Sequence, residues 1–190
     1  MSESSFDRDE LLDFAADVAA QARAFLDGVT EIVSGPPETA ISGLMVQLSR
    51  ILLAGTLLGA VSDVVPSERF EPEAGPDPDA DPLRERLAIL LEGIDDYADV
   101  FDPLLPSQPV PGRISDDLAE IAIDLAHGLR HYEAACIDEA LWWWQFSYLS
   151  NWGDQALCAQ RALLSIVSHQ RLDADDVETM AATADALLSD

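Results

Sequence analysis

Apolar residues recur along this chain at three- and four-residue steps, the period of helices that bury one face. From about Phe6 to Ser34 the series is Leu11, Phe14, Val18, Ala22, Phe25, Val29 and Ile32, with Asp13, Asp17, Asp27 and Glu31 opposite. Ser4 or Ser5 can cap this helix, and Gly35-Pro36-Pro37 ends it. At 1.5 Å per residue it is a rod of about 40 Å. A second helix is predicted over about 38–62, with Leu44, Leu48, Ile51, Leu52 and Leu58 on its face. Gly43, Gly55 and Gly59 each weaken it by about 1 kcal/mol relative to Ala. Their presence points to close approach of another helix.

Val65 to Pro82 breaks the pattern, with five prolines among acidic residues. It reads as a long exposed loop whose only anchor-like residues are Arg69 and Phe70. A third helix is predicted from about Pro82 to Phe101, burying Leu83, Leu87, Leu90, Leu91, Ile94, Tyr97 and Phe101. Residues 102–113 form a second proline loop. Ser115 then caps a fourth helix, with Asp116 and Asp117 at the positive end of its dipole. Its apolar stripe is Leu118, Ile121, Leu125, Leu129 and Tyr132. Asp138 caps the next stretch, which passes three tryptophans to about His169, and Gly153 either divides or kinks it. A last helix is predicted over 174–188, with Asp173 as its cap. No stretch alternates with period two, so no strand is predicted. The expected fold is all-α: residues 1–190 as a single helical bundle of six or seven helices, with exposed Pro-rich acidic loops at 65–82 and 102–113.

Charge narrows the function classes. The chain has 190 residues, 36 of them Asp or Glu, with no Lys and a net charge of −26. A basic footprint for nucleic acid or an anionic membrane is lacking. The hydrophobic fraction of 48% is nonetheless enough to bury a core. Lys-free, Asn-poor composition fits a high-GC genome, or alternatively a high-salt cytoplasm. The first ten residues lack the basic and apolar parts of a signal peptide. The apolar run 51–61 is short of the ~20 residues of a membrane span. A soluble cytoplasmic protein is therefore expected. Cys136 and Cys158 make neither a disulfide framework nor a zinc site.

Three constellations could carry chemistry. Asp117, Glu120, Asp124, His127 and His131 share one stripe of the fourth helix, and Asp124-x-x-His127 imitates the carboxylate-x-x-His pair of di-metal bundles. This stripe lies opposite the apolar one, and the only other histidine is His169, so a solvated acidic face is expected, with no metal. Ser, Cys, His and Asp occur in no recognised triad or elbow, and neither a catalytic residue nor a cofactor is assigned. The third is Trp142-Trp143-Trp144. Placing Leu141, Gln145, Tyr148 and Trp152 inward turns Trp143 outward, near Ser147, Ser150 and Asp154. Trp143 is then either an exposed anchor or packed against a neighbouring helix.

At these tryptophans the chain resembles the bacterial family described as domain of unknown function 5063, in its high-GC branch. The matching stretches are Tyr97-Ala-Asp-Val-Phe101-Asp102-Pro103, Ile114-Ser115-Asp116-Asp117-Leu118-Ala119-Glu120-Ile121 and Glu139-Ala140-Leu141-Trp142-Trp143-Trp144-Gln145-Phe146-Ser147-Tyr148, ending in Asn151-Trp152-Gly153. The resemblance implies an all-helical domain and carries no activity, cofactor or catalytic residue with it.

The expectation is a non-catalytic, acidic protein-interaction module. Its surface combines Trp143, Ser147 and Asn151 with Arg69 and Phe70, and its partner presents a basic surface, since acidity steers such encounters. The alternative from another class is a small-ligand- or metal-binding helical protein or enzyme with a pocket near Asp117, His127, His131 and Trp152. A further alternative is an acidic mimic of nucleic acid that occupies a basic DNA-binding protein.

Overall fold

The computed structural model describes residues 8–66, 75–76, 78–99 and 108–188, with side chains as far as Leu172. Helix α1 spans Arg8–Ile32, and Val18, Ala22, Phe25 and Val29 are its buried side. After Gly35-Pro36 a 3-10 turn, Pro37–Thr39, leads into α2, Ala40–Ala60. The two helices pack on each other, and Gly43 is where Ile32 presses: a Cβ there would lie 3.0 Å from Ile32 Cδ1. Leu44, Leu48, Ile51 and Leu58 point into the core. Each such fully buried side chain contributes about 1.5–3 kcal/mol. The segment Pro37–Ala60 is long and apolar enough to cross a bilayer by length and composition alone, and a third of the residues in its apolar 18-residue stretch are fully buried here.

Helix α3, Asp81–Leu90, has Pro82 in its first turn and is shorter than its apolar period predicts. Gly93 takes a positive φ of 84°, which a helix cannot absorb. The chain turns there and enters β1, Asp96–Asp99, which pairs antiparallel with β2, Val110–Arg113. This two-stranded sheet corrects the expectation of a strand-free chain. Its strands are four residues each, too short for an alternation to show, and one of them contains Pro111 and Gly112. Tyr97, expected in a helical stripe, instead lies opposite Gly112. A Cβ on Gly112 would sit 2.6 Å from the Tyr97 ring, so only glycine fits beneath it.

Helix α4, Ile114–Glu133, starts directly from β2. Ser115 does not cap it. The cap comes from buried Asp95, whose carboxylate accepts from Ser115 N–H at 2.8 Å, Ser115 Oγ at 2.7 Å and the Arg113 guanidinium at 2.8 Å. A three-residue turn with Ala135 at φ 61° leads to α5, Ile137–Ser147. Asp138, expected as its cap, pairs with Arg8 at 2.6 Å instead.

Helix α5 does not end at Gly153. It widens into a single π turn, Tyr148–Trp152, where Gly153 N–H bonds Tyr148 O, and continues as α6, Gly153–Leu188. A separate helix starting at Asp173 is therefore not present. The described chain is mostly helical, with one small sheet. Helix α4 lies at its centre, in contact with α1, α3, α5 and α6. Loop residues Arg69 and Phe70 lie outside the described residues.

Candidate functional site

Both faces of α4 are covered, and this overturns the solvated acidic stripe expected from its sequence. Leu118, Ile121, Leu125 and Leu129 fill the core on one side. On the other, Asp124 and His131 are buried. An ordinary amphipathic helix buries only one stripe, but a central helix must bury two. The stripe survives because each polar group has a partner. Glu120 accepts from Arg84 of α3 at 2.8 Å. Asp124 accepts from Asn151 Nδ2 at 2.7 Å, and Trp143 Nε1 donates to the Asp124 backbone carbonyl at 3.0 Å. His127 lies against the Trp143 ring, centroids 4.0 Å apart, and its Nε2 is 3.3 Å from that of His131.

Trp143 is thus a packed, hydrogen-bonded residue of the α4–α5 seam and not a bare surface anchor. Ser147 is buried, its hydroxyl donating to the Trp143 carbonyl at 2.7 Å. Trp143 and Asn151 meet on Asp124, and Ser147 braces the Trp143 backbone. Wrapping the tryptophans onto α4 needs a small residue opposite: a Cβ on Gly128 would lie 2.1 Å from Trp144 Nε1. The π turn makes the same demand of α2, where a Cβ on Gly55 would collide with the Tyr148 ring and lie 2.6 Å from the Trp152 ring. Gln145, buried beside them, bonds the Leu58 carbonyl at the end of α2 and receives Val64 N–H, both at 2.9 Å. The close-approach reading of Gly43, Gly55 and Gly59 therefore holds at all three, with Ile32 against the first and Tyr148 against the other two.

The residues Asp117, His127, His131 and Trp152 are not assembled into one pocket. Trp152 is fully buried against Tyr148 and α2. His127 and His131 stay in the α4–α5 seam. Asp117 alone reaches a cavity, of about 400 Å³, enclosed by the hairpin, the π turn and the start of α6. There Tyr97 Oη donates to Asp117 Oδ2 at 2.6 Å. Asp154, Asn151, Asp99 and Cys158 complete the wall. Burial raises the Asp117 carboxyl from 3.8 to about 7, reinforced by Asp116, Asp154 and Asp95 and opposed by the Tyr97 hydrogen bond. Burial raises Asp124 in the same direction. Burial and the Asp99 hydrogen bond push the Cys158 thiol up to about 12, so it stays protonated and is a poor nucleophile. Asp99 also pairs with Arg161. Among the described residues, no group of three or more His, Cys, Asp or Glu is placed to hold a metal ion.

A second surface was missed by the sequence reading. Helix α2 contains no Asp or Glu from Ala40 to Ala60, and neither does α6 from Gln155 to Leu172. These stretches lie together. Val46, Leu53 and Leu57 of α2 and Leu157 and Leu164 of α6 are exposed there, Leu53 to 65%. A groove of about 620 Å³ between the helices is lined by Met45, Val46, Leu53, Leu164, Arg50 and Arg171 among others. The signal was legible as a 21-residue helix without one acid in a chain of net charge −26.

A family model for the domain of unknown function 5063 matches residues 9–169, from the first turn of α1 to the middle of α6. The chain belongs to this family. The match includes the α4–α5 seam, the hairpin cleft and most of the α2–α6 face. The crystal structure of protein BF1032 from Bacteroides fragilis is similar to this chain, with a TM-score of 0.63 and 22% identity, covering 83% of this chain and 92% of that one. That likeness shows a shared fold. Comparison with curated proteins finds no match.

Proposed function

We propose that the chain is a non-catalytic protein-interaction module that docks through the acid-free face of α2 and α6. One observation carries this reading. A helix with apolar residues all round is normally buried, yet Val46, Leu53 and Leu57 of α2 stand exposed, together with Leu157 and Leu164 of α6. Exposed apolar patches of this kind mark interaction sites. The docking face is not the Trp143–Ser147–Asn151 surface expected from sequence, because those side chains are engaged with α4. The partner chemistry changes as well. Helix α2 and residues 155–172 of α6 offer no carboxylate to a basic surface, and offer leucines and two arginines instead. A helix with an apolar stripe flanked by carboxylates fits it.

Capture by the tagged chain from an extract of its source cells, at two salt concentrations, tests this. The comparison is with Leu53→Asp, a substitution at a solvated position. A protein retained in stoichiometric amount by the native chain and lost by the variant is the expected result. Equal retention by both, or none by either, removes the reading.

The cleft under the hairpin favours a second reading, a site for a small organic cation. Asp117 and Asp154 border one cavity, and an ammonium group would relieve the repulsion that Asp154 exerts on Asp117. Calorimetric titration with putrescine at pH 8 should show binding that Asp117→Asn weakens. Absence of heat at millimolar probe would exclude this class.

A further inference from the structure

We infer that the acid-free face is covered by a second copy of this chain, so that the protein is a two-fold dimer through α2. The inference rests on the docking reading above and names its partner.

Of the arginines among the described residues, Arg8, Arg23, Arg84, Arg113 and Arg161 have carboxylate partners, Arg86 meets Ser34 Oγ, and Arg130 meets the Pro76 carbonyl. Arg50 has no ion pair or hydrogen bond among the described residues, and neither has Arg171. Both line the α2–α6 groove. Their occupant therefore brings apolar side chains and carboxylates together.

The chain itself has both. A second hollow, of about 480 Å³, lies on the other side of the same ridge, between α1 and α2. It shares Arg50 and Leu53 with the groove and adds Phe14, Leu57 and Asp17. One surface thus carries a leucine ridge with hollows on both sides, a cation and an anion. A two-fold contact requires such self-complementarity, because each residue type must find its counterpart on the same patch of the other copy. Laid ridge into hollow, Leu53 and Leu57 of one copy enter the neighbour's hollow, and Arg50 faces the neighbour's Asp17.

Two other occupants fit less well. A basic protein finds no carboxylate on α2 and meets Arg50 and Arg171 there, with Asp17 in the α1–α2 hollow to set against them. An anionic lipid surface is repelled by a chain of net charge −26.

Dimerisation of two chains of like charge has a distinctive salt response. Salt screens the long-range repulsion and leaves the apolar contact intact, so self-association tightens as salt rises. Association with an oppositely charged partner does the reverse.

The experiment is sedimentation equilibrium of the full chain at about 0.05 and 0.5 M salt, where the Debye length falls from above 10 Å to a few ångströms. The expected result is a particle of twice the 20.6 kDa chain mass, with the tighter association at high salt. Leu53→Asp should weaken it by at least about 100-fold, since it buries an unpaired carboxylate at the centre of the contact. Ile89→Asp, at an exposed apolar position on α3, should leave it unchanged. A monomer at all concentrations and both salts overturns the inference. So does a dimer indifferent to Leu53→Asp, or a monomer that sediments with vesicles of phosphatidylcholine and phosphatidylglycerol. A monomer that still captures a different protein, lost on Leu53→Asp, overturns self-association and keeps the docking reading. If neither occurs, both fall.

Discussion

Replacing Asp117 by Asn tests the electrostatics of the hairpin cleft. In the fold this carboxyl titrates at about 7 instead of 3.8, because burial withholds water from its charge and Asp116, Asp154 and Asp95 add repulsion. The raised value means that the folded state binds this proton more tightly than the unfolded state. Below about pH 4 the group is protonated in both states and costs nothing. As pH rises toward 7 the unfolded chain ionises it freely and the fold does not, so stability is lost across that window. A move from 3.8 to about 7 sets a ceiling of about 4 kcal/mol on this loss. Asp117 is only half-buried and lines an open cavity, so solvent screening reduces the loss to about 1–2 kcal/mol. Asn at this position keeps an oxygen for the Tyr97 hydroxyl and carries no charge. Asp117→Asn should therefore match the native protein at pH 4 and exceed it by about 1–2 kcal/mol at pH 8. Urea unfolding followed by circular dichroism, at both pH values, measures this. The other acids titrate alike in the two proteins and cancel in the comparison. A variant less stable at pH 8, or a difference independent of pH, would refute the reasoning.

Three further expectations follow from packing. Gly128→Ala places a methyl group where Trp144 Nε1 lies, 2.1 Å away; the overpacking should lower stability by about 1–3 kcal/mol, read as a shift in the urea midpoint with a loss of near-ultraviolet dichroism. Ala135→Gly relieves a residue held at φ 61° and should raise stability by up to about 1 kcal/mol; a lower melting temperature would show that this backbone is unstrained. Trp143→Ala removes a half-buried ring and its bond to the Asp124 carbonyl, and should destabilise by about 2–3 kcal/mol. Unchanged stability of that variant would return Trp143 to the surface.

Sequence by itself determined the helical character, because an apolar period of three and four is a local property. Leu118, Ile121, Leu125 and Leu129 of α4 are buried as that period requires. It also signalled close helix approach, since Gly55 has no other reason to interrupt an apolar helix, and Tyr148 and Trp152 occupy the space it leaves. Strands β1 and β2 were hidden: strand pairing is a contact between distant segments, and Val110-Pro111-Gly112-Arg113 advertises a loop. Only the tertiary structure decided which side of a helix faces solvent. The second stripe of α4 looks solvated in isolation, and it is buried because α5, turned by the π bulge, brings Trp143 and Asn151 onto Asp124. Helix α2 is the converse. Its apolar residues encircle it, so its sequence cannot say which are core, and the packing of α1 and α6 leaves Val46, Leu53 and Leu57 exposed. Burial is a property of the neighbours a residue acquires, and those neighbours come from elsewhere in the chain.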